Sequence, residues 1–187
     1  MTIDIYLFDD QELISPQVQS NLPSNYIIRP LGSRDYERGH LQVLSELTLV
    51  GHDSSQDWLD QFYYMKKRND TYFSLVIIDQ SCNRVVAVGT LLIERKFVHY
   101  NGKVGHIEDI AVSGDQQGKK LGIRMIEALQ YIGIKQNCYK IILDCALKNV
   151  PFYEKCGFTQ KERQMAWYVP SMITFSEENH IETCNER

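Results

Sequence analysis

The chain has 187 residues, 43% of them hydrophobic and 24% charged, with a formal net charge of −4 and a pI near 5.7. That length suits one domain with a substantial core, and the acidic balance argues against a nucleic-acid binder that relies on a broad basic surface. The longest nearly apolar run, residues 85–93, is interrupted by Gly89 and Thr90 and is too short to span a bilayer. The acidic N-terminus lacks the basic start of a signal peptide. Cys82, Cys138, Cys145, Cys156 and Cys184 have no CxxC spacing, so a reduced, cytoplasmic chain is expected. His40, His52, His99, His106 and His180 form no metal-ligand pattern, and no metal is expected.

In chain order, residues 1–25 carry Pro16, Pro23 and many polar residues, and read as a loop-like N-terminal extension. Tyr26–Pro30 reads as a short strand ended by proline. Residues 35–47 read as a helix on the spacing of Leu41, Leu44 and Leu47. Ser54-Ser-Gln-Asp57 fits a capping box, followed by Trp58, Phe62 and Met65 on one helix face. Residues 72–79 and 84–99 form an expected hairpin, and Asn101-Gly102 a turn. Residues 105–112 are the next strand. Residues 121–136 are an amphipathic helix presenting Leu121, Met125, Leu129 and Ile132. Residues 139–144 read as a buried strand, and 149–156 as a short helix with Asn149 as N-cap and Pro151 in its first turn. Residues 165–169 read as a last strand, and 170–187 as a polar C-terminal tail. The sum is a mixed α/β sheet.

The most informative segment is Gly105-His-Ile-Glu-Asp-Ile-Ala-Val112 with Gln116-Gln-Gly-Lys-Lys-Leu-Gly122. An extended strand carries the adjacent carboxylates Glu108 and Asp109, then enters a glycine-bearing basic turn that opens a helix. Strand, glycine turn and helix N-terminus together offer backbone N–H groups to a phosphate. The turn is neither G-x-G-x-x-G nor a P-loop, which argues against a mononucleotide hydrolase. Alone, it reads first as a solvated loop. Strict alternation places Glu108 and Asp109 on opposite faces, one of them costly to bury unpaired. A bulge or a splayed neighbouring strand would turn both towards one pocket, and salt-bridged structural carboxylates are the alternative. Tyr153 lies four residues after Asn149, on the same helix face, where a tyrosine reads first as packing. Asp144 ends its strand, either as a turn residue or as a group that accepts a proton or orients an amine. Lys96, His99 and Lys140 are solvated side chains unless a phosphate engages them. Cys145 has no evident histidine partner that would make it a nucleophile.

Gln117-Gly-Lys-Lys-Leu-Gly122 resembles the acetyl-CoA loop Q/R-x-x-G-x-G/A of the GNAT N-acetyltransferase superfamily, with Lys120 standing where that pattern has glycine. Four further stretches join it: Ile93-Glu-Arg-Lys-Phe-Val-His99, His106-Ile-Glu-Asp-Ile-Ala-Val112, Cys138-Tyr-Lys-Ile-Ile-Leu-Asp-Cys145 and Asn149-Val-Pro-Phe-Tyr-Glu-Lys-Cys-Gly-Phe158. Together they resemble the glucosamine-6-phosphate N-acetyltransferases over residues 26–169. The resemblance implies a GNAT fold: a mixed, mostly antiparallel sheet of about six strands, splayed between strands 4 and 5 and flanked by helices. It implies direct acetyl transfer from acetyl-CoA to the 2-amino group of D-glucosamine 6-phosphate, on the route to UDP-N-acetylglucosamine. The alternatives are a GNAT enzyme acting on another amine, of a protein or a polyamine, and a non-catalytic acetyl-CoA-binding module. The implied catalytic residues are Tyr153, which protonates the departing thiolate, Asp144 and Glu108. The implied substrate contacts are Thr48, Lys96, Phe97, Val98, His99, Glu108, Asp109, Ile110, Tyr139 and Lys140. For the cofactor, Ile110, Ala111 and Val112 pair with the pantetheine arm like an added strand, while Gln117, Gly118, Lys119, Lys120, Leu121, Gly122 and Ile123 wrap the pyrophosphate. Asn149 and Tyr153 complete that set. The resemblance also implies a homodimer.

Overall fold

The computed structural model describes residues 4–51 and 54–168. Five strands form one open sheet in the order β1 (Tyr26–Pro30), β2 (Tyr72–Asp79), β3 (Arg84–Arg95), β4 (Lys103–Val112) and β5 (Cys138–Ile142). Neighbours from β1 to β4 are antiparallel, and β5 runs parallel to β4. A parallel neighbour needs a long crossover, which is supplied by the helix α5 (Leu121–Lys135). Its stripe of Leu121, Met125, Ile126, Leu129 and Ile132 is fully buried and packs against β2, β3, β4 and β5.

The N-terminal segment is not a loose loop. Leu7, Phe8, Leu13, Val18 and Leu22 are buried in the core, and the Phe8 ring meets Phe73 of β2 edge-on at 5.4 Å. Leu7 N–H donates to the Leu31 carbonyl and Ser33 N–H to that of Ile5, each at 2.8 Å. Pro16 opens a short helix, α1 (Pro16–Ser20), whose N-cap Ser15 accepts a bond from Val18 N–H. The proline that suggested a loop is a helix start, where a missing N–H costs nothing.

The helix expected over 35–47 shrinks to α2 (His40–Leu44), because Gly39 takes φ 88 and the chain before it forms turns. Those turns close around the fully buried Asp35. It accepts from both Arg29 guanidinium nitrogens at 2.7 Å, from Arg38 Nη1 at 2.9 Å and from Gly32 N–H at 2.7 Å. Burial alone would raise its pKa, but Arg29, Gly32 and Arg38 outweigh that and hold it below the ordinary value. The helix α3 (Ser55–Lys66) begins with the expected capping box of Ser54 and Asp57. Its Trp58 indole N–H donates to His40 Nδ1 at 3.2 Å. Burial, against an opposing pull from Asp35, lowers the pKa of that imidazole to about 4, so it accepts as a neutral ring.

Other boundaries differ at the edges of the sheet. β3 ends at Arg95 rather than 99, and the connection contains α4 (Val98–Asn101), a single turn in which His99, Tyr100 and Asn101 are left-handed at φ 52, 58 and 57. β4 begins two residues earlier than expected. β5 stops at Ile142, which leaves Asp144 in the loop before α6 (Val150–Lys155). The sheet has five strands among the described residues, not six. Residues 165–168 have no regular structure, and residue 169 and the expected tail lie outside the described residues. Met165, Trp167 and Tyr168 are exposed, and no strand among the described residues pairs with them. No helix among the described residues is long and apolar enough to cross a membrane.

Candidate active site

The two carboxylates reach one place through a bulge. Val88 pairs with Ala111 and Thr90 with Glu108, so Gly89 alone opposes both Asp109 and Ile110. Asp109 carries the extra residue's turn at φ 56. Gly89 is required here: a Cβ would lie 2.6 Å from Ile110 Cδ1 and 2.8 Å from Met125 Cγ. With the alternation broken, Glu108 and Asp109 are both accessible. Partial desolvation, followed by the charges of Asp109 and Asp144, raises the pKa of Glu108 against an opposing pull from His106. Desolvation raises that of Asp109. Both groups are therefore readier to hold a proton than ordinary carboxylates.

Beside this bulge the sheet forks. β5 pairs with β4 as far as His106 opposite Ile142, and β4 continues to Val112 with no strand partner on that side among the described residues. An extended ligand can pair there as an added strand. The fork leads to the N-terminus of α5, whose first turn has no side-chain cap. Its free N–H groups and dipole suit an anion. Gly118 adopts φ 83 in open space, so conformation and not room selects glycine there. Lys120, at the position where the superfamily pattern has glycine, adopts φ 61 and ψ 20, a left-handed conformation costing a residue with a Cβ roughly 1–2 kcal/mol. The cradle thus fits a diphosphate with an extended arm. The Lys119 side chain turns elsewhere, donating at 2.7 Å to both the Tyr26 hydroxyl and Gln116 Oε1.

On the far side of the fork, α6 packs against α5. A Cβ on Gly122 would lie 3.3 Å from Phe152 Cζ. Tyr153 meets Phe152 and Phe158 edge-on, at 5.0 and 6.2 Å. Desolvation, with contributions from Cys145 and Cys156, raises its pKa, so the phenol stays protonated through the neutral range. Asn149 heads α6, but its side chain makes no cap bond.

A second cluster gathers at the start of β5. Tyr139 is an extra residue between Cys138, opposite Lys103, and Lys140, opposite Val104. Its ring lies 4.3 Å from that of His99 and 5.9 Å from Lys140 Nζ. Lys96 is ion-paired with Glu94, which also meets His106 Nε2 at 3.0 Å. Phe97, Val98 and Tyr100 project into solvent. Thr48 follows α2, where Glu46 Oε1 accepts from Gly114 N–H at 3.4 Å and so ties that segment to the end of β4. Sequence reasoning missed Gly89, although a glycine inside a strand pattern signals a bulge. It also missed Glu94 as the partner of Lys96 and His106, and Tyr26 and Gln116 as partners of Lys119.

A mixed sheet parted between β4 and β5, with a free helix N-terminus beside the gap, defines an acetyltransferase of the GNAT type. The sequence model of the acetyltransferase (GNAT) family matches residues 40–158. Glucosamine 6-phosphate N-acetyltransferase 1 of Dictyostelium discoideum is 46% identical over 143 residues, covering 76% of this chain and 90% of that protein. Glucosamine 6-phosphate N-acetyltransferase of Candida albicans is 43% identical over 137 residues, covering 73% and 91%. The crystal structure of glucosamine-6-phosphate N-acetyltransferase from Arabidopsis thaliana superposes with a TM-score of 0.75 at 36% identity, covering 76% of this chain and 97% of that one. The chain belongs to the glucosamine 6-phosphate N-acetyltransferases of the GNAT family.

Proposed function

We propose that the chain transfers the acetyl group of acetyl-CoA to the 2-amino group of D-glucosamine 6-phosphate, giving N-acetyl-D-glucosamine 6-phosphate and CoA for UDP-N-acetylglucosamine synthesis. The observation that carries the reading is the fork itself, with the bulged carboxylates Glu108 and Asp109 at the edge of β4 where β5 leaves it. The family membership of the chain supports the choice of acceptor.

Holding both substrates in one cleft replaces a bimolecular encounter with a positioned attack. The backbone of Ile110, Ala111 and Val112 pairs with the pantetheine arm, and a strand N–H stabilises the oxyanion that forms on the thioester carbonyl. The turn at residues 117–123 receives the pyrophosphate, and Asn149 contacts the cofactor arm. Glu108 and Asp109 hold the amino sugar. The attacking amine must be neutral, and the raised pKa of Glu108 suits it, with Asp144, to take up the proton. Bond formation from nitrogen to the acetyl carbon expels the thiolate, which takes the Tyr153 proton. Tyr139, Lys140, His99 and Lys96 face the sugar phosphate, with Thr48, Phe97 and Val98 as further contacts at the rim of the pocket. A homodimer belongs to the same proposal: the outer edge of β5 has no strand partner among the described residues, and Phe97, Tyr100 and Ile142 are exposed beside it. A cytoplasmic setting accords with the free thiols of Cys82, Cys138, Cys145 and Cys156.

The test offers acetyl-CoA with glucosamine 6-phosphate, glucosamine or a lysine peptide, and measures released thiol. Thiol release with the phosphorylated sugar, well above that with the other two, is expected. A peptide that reacts while the sugar phosphate does not would replace the acceptor.

A further inference from the structure

The loop from β4 to α5 lies across one end of the sheet, and besides the bonds of Ser113 N–H to the Val86 carbonyl and of Gly114 N–H to Glu46 it is held by two side-chain ties. At the first tie, Arg84 Nη2 of β3 donates to Asp115 Oδ2 at 2.5 Å and Ser113 Oγ to Asp115 Oδ1 at 2.7 Å. The second tie is a closed triangle. The Tyr26 hydroxyl of β1 donates to Gln116 Oε1 at 2.7 Å, and Lys119 Nζ donates to both oxygens at 2.7 Å. Tyr26 is 9% exposed and Gln116 6%, so breaking the triangle leaves buried polar groups without partners, which costs roughly 1–3 kcal/mol each. Gln116 Nε2 joins the ties by donating to Asp115 Oδ2 at 3.1 Å. The Tyr26 hydroxyl, backed by Asp79 and Asp115, favours the charged ammonium of Lys119 against its desolvation.

The triangle brackets the turn that begins the cofactor cradle. That turn holds two left-handed residues, Gly118 and Lys120, and its backbone would sample many shapes if untied. Fixing one residue's backbone costs about 1–2 kcal/mol, and a cradle populated only fractionally binds more weakly by that fraction.

We propose that Tyr26 is a positioning residue for the cofactor. Acting through Gln116 and Lys119, it holds the turn at residues 117–123 in its binding shape before the pyrophosphate arrives. The proposal rests on the reading of that turn as the acetyl-CoA site. It gives the Lys119 ammonium a task other than phosphate contact, and it makes the far edge strand of the sheet part of cofactor recognition.

Tyr26→Phe removes one hydroxyl and keeps the ring. Calorimetric titration of the full chain with CoA is expected to show about a tenfold weaker dissociation constant, equivalent to about 1.4 kcal/mol. The KM for acetyl-CoA is expected to rise in step, while the KM for glucosamine 6-phosphate and kcat at saturating cofactor stay within about twofold. Lys119→Gln, at an exposed position, is expected to weaken CoA to a similar degree. The double variant is expected to be no worse than either single one, because both break the same triangle. Unchanged CoA affinity in Tyr26→Phe, with only a lower melting temperature, overturns the proposal. So do additive losses in the double variant, which would place the Lys119 ammonium on a phosphate. A wild-type chain that binds no CoA at all overturns the reading of the turn itself, and the positioning role with it.

Discussion

β2 and β5 belong to one sheet and draw on similar apolar residues, yet their surroundings are opposite. β2 has strand neighbours on both sides, and seven of its eight residues are buried. β5 has one neighbour, pairs with only the first part of that strand, and buries none of its own five residues fully. At β2 the sequence is used up in packing against α5 and the N-terminal segment. At β5 the sheet stops short, and its unspent backbone and side chains are what a ligand can engage. The buried packing lies in the closed half of the molecule and the proposed chemistry in the unfinished half, with the Gly89 bulge where the two meet.

Substitutions can break either half separately. The largest effect is expected at the open end: Tyr153→Phe should lower kcat about 10²–10⁴-fold with CoA affinity unchanged, measured by thiol release and calorimetry. Undiminished turnover would mean the thiolate departs unaided. At the closed end, Asp35→Ala leaves Arg29 and Arg38 without their carboxylate. It should cost roughly 3–5 kcal/mol, a fall in melting temperature on the order of 10 °C, and the protein that stays folded should keep its kcat. Gly89→Ala strikes the junction. Overpacking against Ile110 and Met125 should cost roughly 1–3 kcal/mol, and moving the bulge should raise the KM for glucosamine 6-phosphate as well. A stability loss without a kinetic change would separate the bulge from the site.

The smallest expected effect sharpens the comparison through pH. Glu108 has a raised pKa in the folded state, so the native protein binds that proton more tightly than the unfolded chain does. Its ionisation therefore opposes folding as pH rises through the folded value. Glu108→Gln should raise the melting temperature slightly at pH 7, with the gain vanishing below the ordinary glutamate pKa of about 4.3, while activity falls. A variant less stable at pH 7 would show that the carboxylate serves packing.

Much of the closed half was readable from local pattern. The capping box at Ser54 and Asp57, the buried stripe of α5 and the first two strands follow from spacing and propensity alone. The carboxylate pair and the glycine turn were also readable as candidates. A bulge uniting Glu108 with Asp109 was readable only as one option beside a splayed strand, because its place depends on how β4 registers against Gly89 in another strand. Asp35 looked like the start of a helix because its arginine partners are set by turns and not by helical spacing. The bond from Lys119 to Tyr26 was not readable either, because the two lie 93 residues apart in sequence. The final strand failed for the same class of reason: residues 165–168 are an apolar run, but nothing in the described chain pairs with them.

Amide hydrogen exchange of the whole chain with and without CoA tests the central claim most directly. The account predicts new protection at Ile110, Ala111 and Val112 and at residues 117–123, with β1 and β2 unchanged. Protection confined to other segments, or none along β4 at a CoA concentration that saturates binding, would contradict it.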